Sequence, residues 1–217
     1  DSLSMVLYGM KNTRDVKIET MILHAKTVKK FAKKSLVVFD MPYKTYTNKF
    51  SAYKNAKKVI KLTKCDAIKL EGGKKIEKIV NFLVKKGIPV LGHVGLLPQT
   101  SRNFKARGKS SIERKKILKD ATAISNSGAF AIIIECVIEK LAKKITANIS
   151  IPTIGIGASR YCDGQILVTE DLTGLSDFSP KFVKQYANLN KSIENCIKNY
   201  VKDVKTKRFP FANNVYK

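Results

Sequence analysis

Short apolar runs alternate along this chain with longer stretches of helical period, and this alternation is what most restricts its fold. Residues 129–135 (AFAIIIE) are nearly all apolar, the mark of a strand buried on both faces, as strands of parallel sheets are. Runs at 35–41 (SLVVFDM), 67–71 (AIKLE), 88–96 (IPVLGHVGL), 151–157 (IPTIGIG) and 165–168 (QILV) read as further strands. Between them apolar residues recur at helical spacing, first Ala52, Tyr53, Ala56, Val59, Ile60 and Thr63, then Ile76, Ile79, Val80, Leu83 and Val84. Gly87 and Pro89 stop the second of these helices. Ser110 with Glu113 predicts a capping box opening a helix to about Ser127. Another helix is expected around 138–147, and an early one carries Ile18, Met21, Ile22, Ala25, Val28 and Ala32. Ser179 and Pro180 are expected to cap a long final helix running through about Val204.

Repeated strand-helix units imply a parallel sheet, closed either as an open doubly wound sheet or as a (β/α)8 barrel. No GxGxxG follows the first strand and no P-loop is present. The polar residues favour the barrel. Asp40, Lys69 with Glu71, His93 and Glu135 all lie at or near the C-terminal ends of successive apolar runs. In a barrel those ends converge on one pocket, whereas in an open sheet they spread along an edge. The expectation is one α/β domain over residues 1–217.

The charge balance narrows the partners. Lys and Arg number 42 against 17 Asp and Glu, a formal net charge of +25, which suits nucleic acid, an anionic membrane or anionic substrates. Only six of the 42 are Arg, and the lysines come in pairs on nearly every helical segment (Lys29-Lys30, Lys57-Lys58, Lys85-Lys86, Lys143-Lys144). A dedicated binding face concentrates its charge, so the pattern reads as a lysine-biased solvated surface. No nucleic-acid module and no apolar run long enough for a membrane span occur, and no signal segment is visible, so a cytoplasmic chain without nucleic acid or membrane partners is expected. Cys65, Cys136, Cys162 and Cys196 show no CxxC and no metal spacing, so they are expected to be reduced.

Each polar strand-end residue has a structural and a chemical reading. Burying charge there costs energy unless a partner or metal compensates. Asp40 and Glu71 offer hard oxygen ligands of the kind Mg²⁺ takes, or Asp40 caps a loop or pairs with lysine. Lys69 and Glu71 share one strand face, as an internal salt bridge or as an anion clamp beside a metal ligand. His93 either donates to a substrate oxygen or bonds a backbone carbonyl. Glu135 ends the most hydrophobic strand, a setting suited to a general base.

Several motifs carry a resemblance. Asp1, Ser2 and Leu3, then 37–42 (VVFDMP), 67–73 (AIKLEGG), 92–98 (GHVGLLP) with Gln99, 134–137 (IECV), 151–158 (IPTIGIGA), 162–167 (CDGQIL) and 179–186 (SPKFVKQY) together resemble ketopantoate hydroxymethyltransferases, in order and over essentially the whole chain. The resemblance implies a TIM barrel of the phosphoenolpyruvate/pyruvate superfamily, in the family a homodecamer. It also implies transfer of a hydroxymethyl group from 5,10-methylenetetrahydrofolate to 3-methyl-2-oxobutanoate, giving 2-dehydropantoate for pantothenate synthesis through a Mg²⁺-stabilised enolate. By matching motif, Asp1, Asp40 and Glu71 would serve the metal. Asp1, Ser2, Asp40, Lys69 and His93 would bind substrate, with Ser2 and Lys69 on its carboxylate. Glu135 would accept the proton.

The chain also departs from the family pattern. Ser4 stands where Gly is usual, and residues 100–108 (TSRNFKARG) form a shorter loop with Arg107 in place of a common Gln. The match begins at the end of the family's second strand, so the first strand-helix unit and most of the second strand are absent from this chain. The expectation is a fragment of a longer chain, unstable and weakly active alone. Two other readings are a related Mg²⁺-dependent keto-acid C–C lyase, which the pattern of Lys69, Glu71, Glu135 and 162–167 opposes, and an inactive truncated barrel or basic binding protein.

Overall fold

The computed structural model describes residues 1–101, 103–176 and 180–216. Where the sequence suggests one domain, the chain divides into two compact units, Asp1–Ile166 and Leu167–Lys217.

The first unit opens with α1 (Leu3–Val6) and α2 (Ile18–Phe31) and continues as β1 (Val38–Asp40), α3 (Lys49–Thr63), β2 (Ala67–Glu71), α4 (Glu77–Lys85), β3 (Val90–Gly95), α5 (Ser111–Asn126), β4 (Ala131–Glu135), α6 (Glu139–Asn148), β5 (Thr153–Ile156) and β6 (Gly164–Gln165). Every strand pairs in parallel with the next, in the order β1-β2-β3-β4-β5-β6. A doubly wound sheet reverses its strand order part-way along. This sheet winds in one direction only, as a barrel does, and the open doubly wound alternative is excluded.

Burial on both faces explains the apolar runs. One face of the sheet supplies Ile68, Leu70, Val90, Val94, Ile132 and Ile134 to a core shared with Ala56 and Val59 of α3, Leu83 of α4, Ile124 of α5 and Ile145 of α6. The opposite face carries a second cluster of Leu91, Ala131 and Ile133, with Val38, Ile154 and Ile156 packed against it. Strand side chains alternate between the two, so β4 has no solvent face that polar residues would occupy.

Local signals set the helix ends. Asn48 caps α3, its side chain accepting from the Phe50 and Ser51 amides at 3.0 Å each, and Lys64 ends the helix in the left-handed conformation at φ 60°. Ser110 caps α5 as expected, accepting from the Glu113 amide at 3.2 Å. The Glu113 carboxylate does not complete the box. It reaches back to the Gly108 and Lys109 amides at 2.7 and 3.2 Å and ties down the preceding loop.

The second unit contains α7 (Thr169–Thr173) and α8 (Leu189–Lys205). The long helix therefore starts later than its apolar periodicity suggests. Residues 180–188 are drawn out of helix by other bonds, with the Tyr186 amide donating to the Leu172 carbonyl at 2.9 Å. The Asn188 side chain then caps α8 by accepting from the Lys191 amide at 3.1 Å. Ser179, the expected cap, lies outside the described residues. The last strand is also shorter than 165–168, because Val168 becomes the N-cap of α7.

Among the described residues all four cysteines are free thiols, with Cys65 and Cys162 buried and Cys196 exposed. No helix among them is long and apolar enough to cross a membrane.

Candidate active site

Parallel register brings the strand-end residues together. Asp40 stands beside Lys69, Glu71 beside His93, and Gly95 beside Glu135 in the pairings of β1 to β4. The Lys69 ammonium lies between two carboxylates, 3.0 Å from Asp40 Oδ1 and 3.6 Å from Glu71 Oε1. The Asp1 backbone nitrogen donates to Asp40 Oδ2 at 2.8 Å. On the next strand His93 Nε2 is 2.9 Å from the Leu96 carbonyl and 3.3 Å from Glu135 Oε2, while Nδ1 is 3.4 Å from the Lys69 ammonium. A carbonyl can only accept, so Nε2 carries the proton and Nδ1 presents its lone pair to Lys69. The structural reading of His93 therefore holds, and through the same N–H it also faces Glu135.

Asp1, Asp40, Lys69, Glu71, His93 and Glu135 thus form one contiguous cluster. Ser2 does not join it. Its side chain is exposed at the start of α1, and among the described residues its hydroxyl makes no hydrogen bond. The buried serine of that segment is Ser4, whose hydroxyl donates to the Asn12 carbonyl at 2.9 Å.

Electrostatics separate the two carboxylates beside Lys69. Burial works to raise the Asp40 carboxyl, but the positive charge beside it, the Lys69 ammonium first, outweighs burial and holds Asp40 down at about 2. Burial works to lower the Lys69 ammonium, and Asp40 with Glu71 outweigh that too, so Lys69 stays above its ordinary value and fully charged. For Glu71 burial wins over His93 and Lys69, and its carboxyl is pushed up from 4.5.

A raised carboxyl has a stability consequence of definite sign. Below the unfolded value of 4.5 Glu71 is protonated in both states and costs nothing; as pH rises through the higher folded value, its buried charge lowers stability. In chelator-treated protein, Glu71→Gln should therefore melt higher than wild type at pH 7, and the difference should vanish below pH 4.5. A lower melting temperature for the variant at pH 7 would show that pairing with Lys69 outweighs burial.

Backbone geometry fixes the approach of β3 to β4. Gly95 has φ +95°, and a Cβ there would lie 2.3 Å from the Glu135 carbonyl oxygen. That close passage lets the Leu96 amide donate to the same carbonyl at 2.9 Å. Gly95→Ala should lower stability by ~1–3 kcal/mol through backbone strain alone, with the collision adding to it. Urea unfolding of the variant measures the loss.

Two buried oxygens, Asp40 Oδ1 and Glu71 Oε1, have no partner in hydrogen-bond geometry, although the Lys69 ammonium lies 3.0 and 3.6 Å from them. Carboxylate oxygens of this kind, held by charge alone, are donors that a hard divalent cation takes. Among the described residues no group of three or more His, Cys, Asp or Glu side chains is arranged to hold a metal ion. Mg²⁺ needs few protein ligands, because it keeps water and substrate oxygens in its shell.

Comparison with known proteins identifies the family. A family model described as ketopantoate hydroxymethyltransferase matches residues 1–212. The chain belongs to the ketopantoate hydroxymethyltransferase family. It is 50% identical over 216 residues to a 3-methyl-2-oxobutanoate hydroxymethyltransferase of Pelagibacter ubique, covering 100% of this chain and 84% of that relative. Among solved structures, phosphonopyruvate hydrolase matches with a TM-score of 0.58 at 10% identity, over 100% of this chain and 77% of that one. A 2,3-dimethylmalate lyase, described as a PEP mutase/isocitrate lyase superfamily member, matches with a TM-score of 0.50 at 11% identity, over 70% of this chain and 55% of that one. These last two likenesses are of fold, and they agree with the barrel winding of this ketopantoate hydroxymethyltransferase family member.

Two residues of the cluster carry no role in the sequence reading. Gln99, quoted there only beside a motif, is fully buried, and its side chain touches both Asp1 and Tyr46. A glutamine set among Leu96, Leu97 and Pro98 is the one signal that points to it. Tyr46 sits in a polar stretch (TYTNK) that gives none. The shortened loop is pinned beside Glu135. The Arg107 amide donates to the Cys136 carbonyl at 2.7 Å, and its guanidinium holds Ser101 and Asn103 at 3.3 and 3.1 Å. Arg102 of that loop lies outside the described residues.

Proposed function

We propose that this chain transfers a hydroxymethyl group from 5,10-methylenetetrahydrofolate to 3-methyl-2-oxobutanoate, giving 2-dehydropantoate, with Mg²⁺ at the carboxylate cluster. The observation that carries this reading is a buried, fully charged lysine between two carboxylates, with a third carboxylate facing His93 on a neighbouring strand end. Membership of the ketopantoate hydroxymethyltransferase family supports the choice of substrate.

Asp1, Asp40 and Glu71 are the residues that would hold the metal through their carboxylates, with Lys69 turning from Asp40 and Glu71 toward the substrate. Bound Mg²⁺ supplies Lewis-acid polarisation of an α-keto oxygen. Lys69, charged at any working pH, neutralises the carboxylate of the keto acid. Ser2, at the exposed rim, is available to the same carboxylate. Glu135 takes the proton from C3, and His93 holds Glu135 in place through its Nε2–H and lies beside the substrate oxygens. The carbon so freed attacks the methylene group of the folate. A C–C bond forms, both C–N bonds that hold the methylene to folate break, water supplies the hydroxyl, and the two released nitrogens take up the C3 proton and the second proton of that water. Both substrates are water-soluble anions, in keeping with a cytoplasmic site.

The test is product formation. Purified protein given 3-methyl-2-oxobutanoate, 5,10-methylenetetrahydrofolate and Mg²⁺ should yield 2-dehydropantoate, detected by mass spectrometry. A folded protein that binds the keto acid yet forms no product above the enzyme-free control overturns the reading.

A further inference from the structure

Among the described residues, Gln99 is the one that bonds both Asp1 and Glu71. Its backbone amide donates to Glu71 Oε2 at 3.2 Å, and its side-chain Nε2 donates to Asp1 Oδ2 and to the Met41 carbonyl, both at 2.9 Å. Because a backbone carbonyl only accepts, the amide can be oriented in one way, with Oε1 turned to the Tyr46 hydroxyl at 2.6 Å. The Tyr46 oxygen in turn accepts from the Glu71 amide at 3.3 Å. Burial, and then the Glu71 charge, push the phenol above its ordinary value and keep it a donor. The side-chain amide and backbone N–H of Gln99 are thus fully partnered, at full burial. One oxygen of Glu71 is held by Gln99, and the other, Oε1, makes no hydrogen bond and lies 3.6 Å from the Lys69 ammonium.

We infer that Gln99, braced by Tyr46, is a positioning residue that sets the Asp1 and Glu71 carboxylates for a divalent cation. This rests on the proposed metal role of those carboxylates. Gln99 ties one oxygen of each to the exits of β1 and β2, which leaves Glu71 Oε1 for the ion. Partners of this kind, bonded to the ligands and not to the metal, typically change metal affinity 10–100-fold when removed. A scaffold role without this function would instead lower thermal stability and exchange rate together.

Mn²⁺ is the probe, with free ion followed by electron paramagnetic resonance as it is titrated into the full chain. Gln99→Met keeps the volume and removes the amide. It should weaken Mn²⁺ binding ~10–100-fold, while the rate of C3 proton exchange at saturating metal stays within a few-fold of wild type. Tyr46→Phe keeps the Gln99 Nε2 contacts with Asp1 and Met41 but removes the hydroxyl that donates to Oε1 and accepts from the Glu71 amide. It should shift affinity in the same direction by less, and it carries the test if Gln99→Met does not fold. Unchanged Mn²⁺ affinity in a folded variant, or slower exchange at saturating metal with unchanged affinity, overturns the inference. Wild-type protein that binds no Mn²⁺ overturns the proposed metal role and this inference with it. Wild-type binding with unchanged variants overturns this inference alone.

Discussion

Glu135→Gln should lose C3 proton exchange in 3-methyl-2-oxobutanoate by ~10²–10⁴-fold, the usual contribution of a positioned general base. The substitution keeps the shape of the side chain and its contact with His93, whose Nε2–H lies 3.3 Å from Glu135 Oε2 and can donate equally to an amide oxygen. Keto-acid affinity should therefore change little. Exchange is read as loss of deuterium from C3, without folate, so a defect there belongs to proton removal and not to the later transfer. Wild-type exchange in the variant would mean that the base lies elsewhere in the cluster.

Lys69→Ala carries the largest expected stability effect. The ammonium is the only side-chain cation within 4 Å of both Asp40 and Glu71 among the described residues. Removing one partner of a buried ion pair strands the other's charge, at a typical cost of ~3–5 kcal/mol. The sign with pH follows from Asp40. Its carboxyl is held at about 2 against an ordinary 3.8, so its contribution is fully present above 3.8 and is lost as pH falls through about 2. The gap between wild type and variant should be widest near neutrality and narrow in acid. The same change should weaken keto-acid binding more than metal binding. Equal loss of both would make Lys69 only the ion-pair partner of the two carboxylates.

Much of the site is legible because parallel strands end in register. Once 35–41, 67–71, 88–96 and 129–135 are read as neighbouring strands, Asp40, Lys69, Glu71, His93 and Glu135 must converge, and they do. The apolar run 67–71 and β2 share both ends, since Gly72, with φ +148°, breaks the strand just past Glu71. What escaped depends on contacts distant in sequence. Tyr46 reaches Gln99 across a separation of 53 residues, and nothing local marks either as part of one network. α8 starts later than the apolar periodicity through 180–188 suggests, because the backbone there bonds to α7 instead. Ser2 shares the motif of Asp1, and its side chain is exposed and makes no cap bond to α1.

The measurement that bears most directly on the proposed chemistry is deuterium loss from C3-labelled 3-methyl-2-oxobutanoate, followed by nuclear magnetic resonance with no folate present. In the presence of wild-type protein the loss should saturate with keto acid, require Mg²⁺ and disappear with Glu135→Gln. Retention of the label by folded protein that demonstrably binds both keto acid and Mg²⁺ would contradict the assignment of this cluster to C3 proton removal.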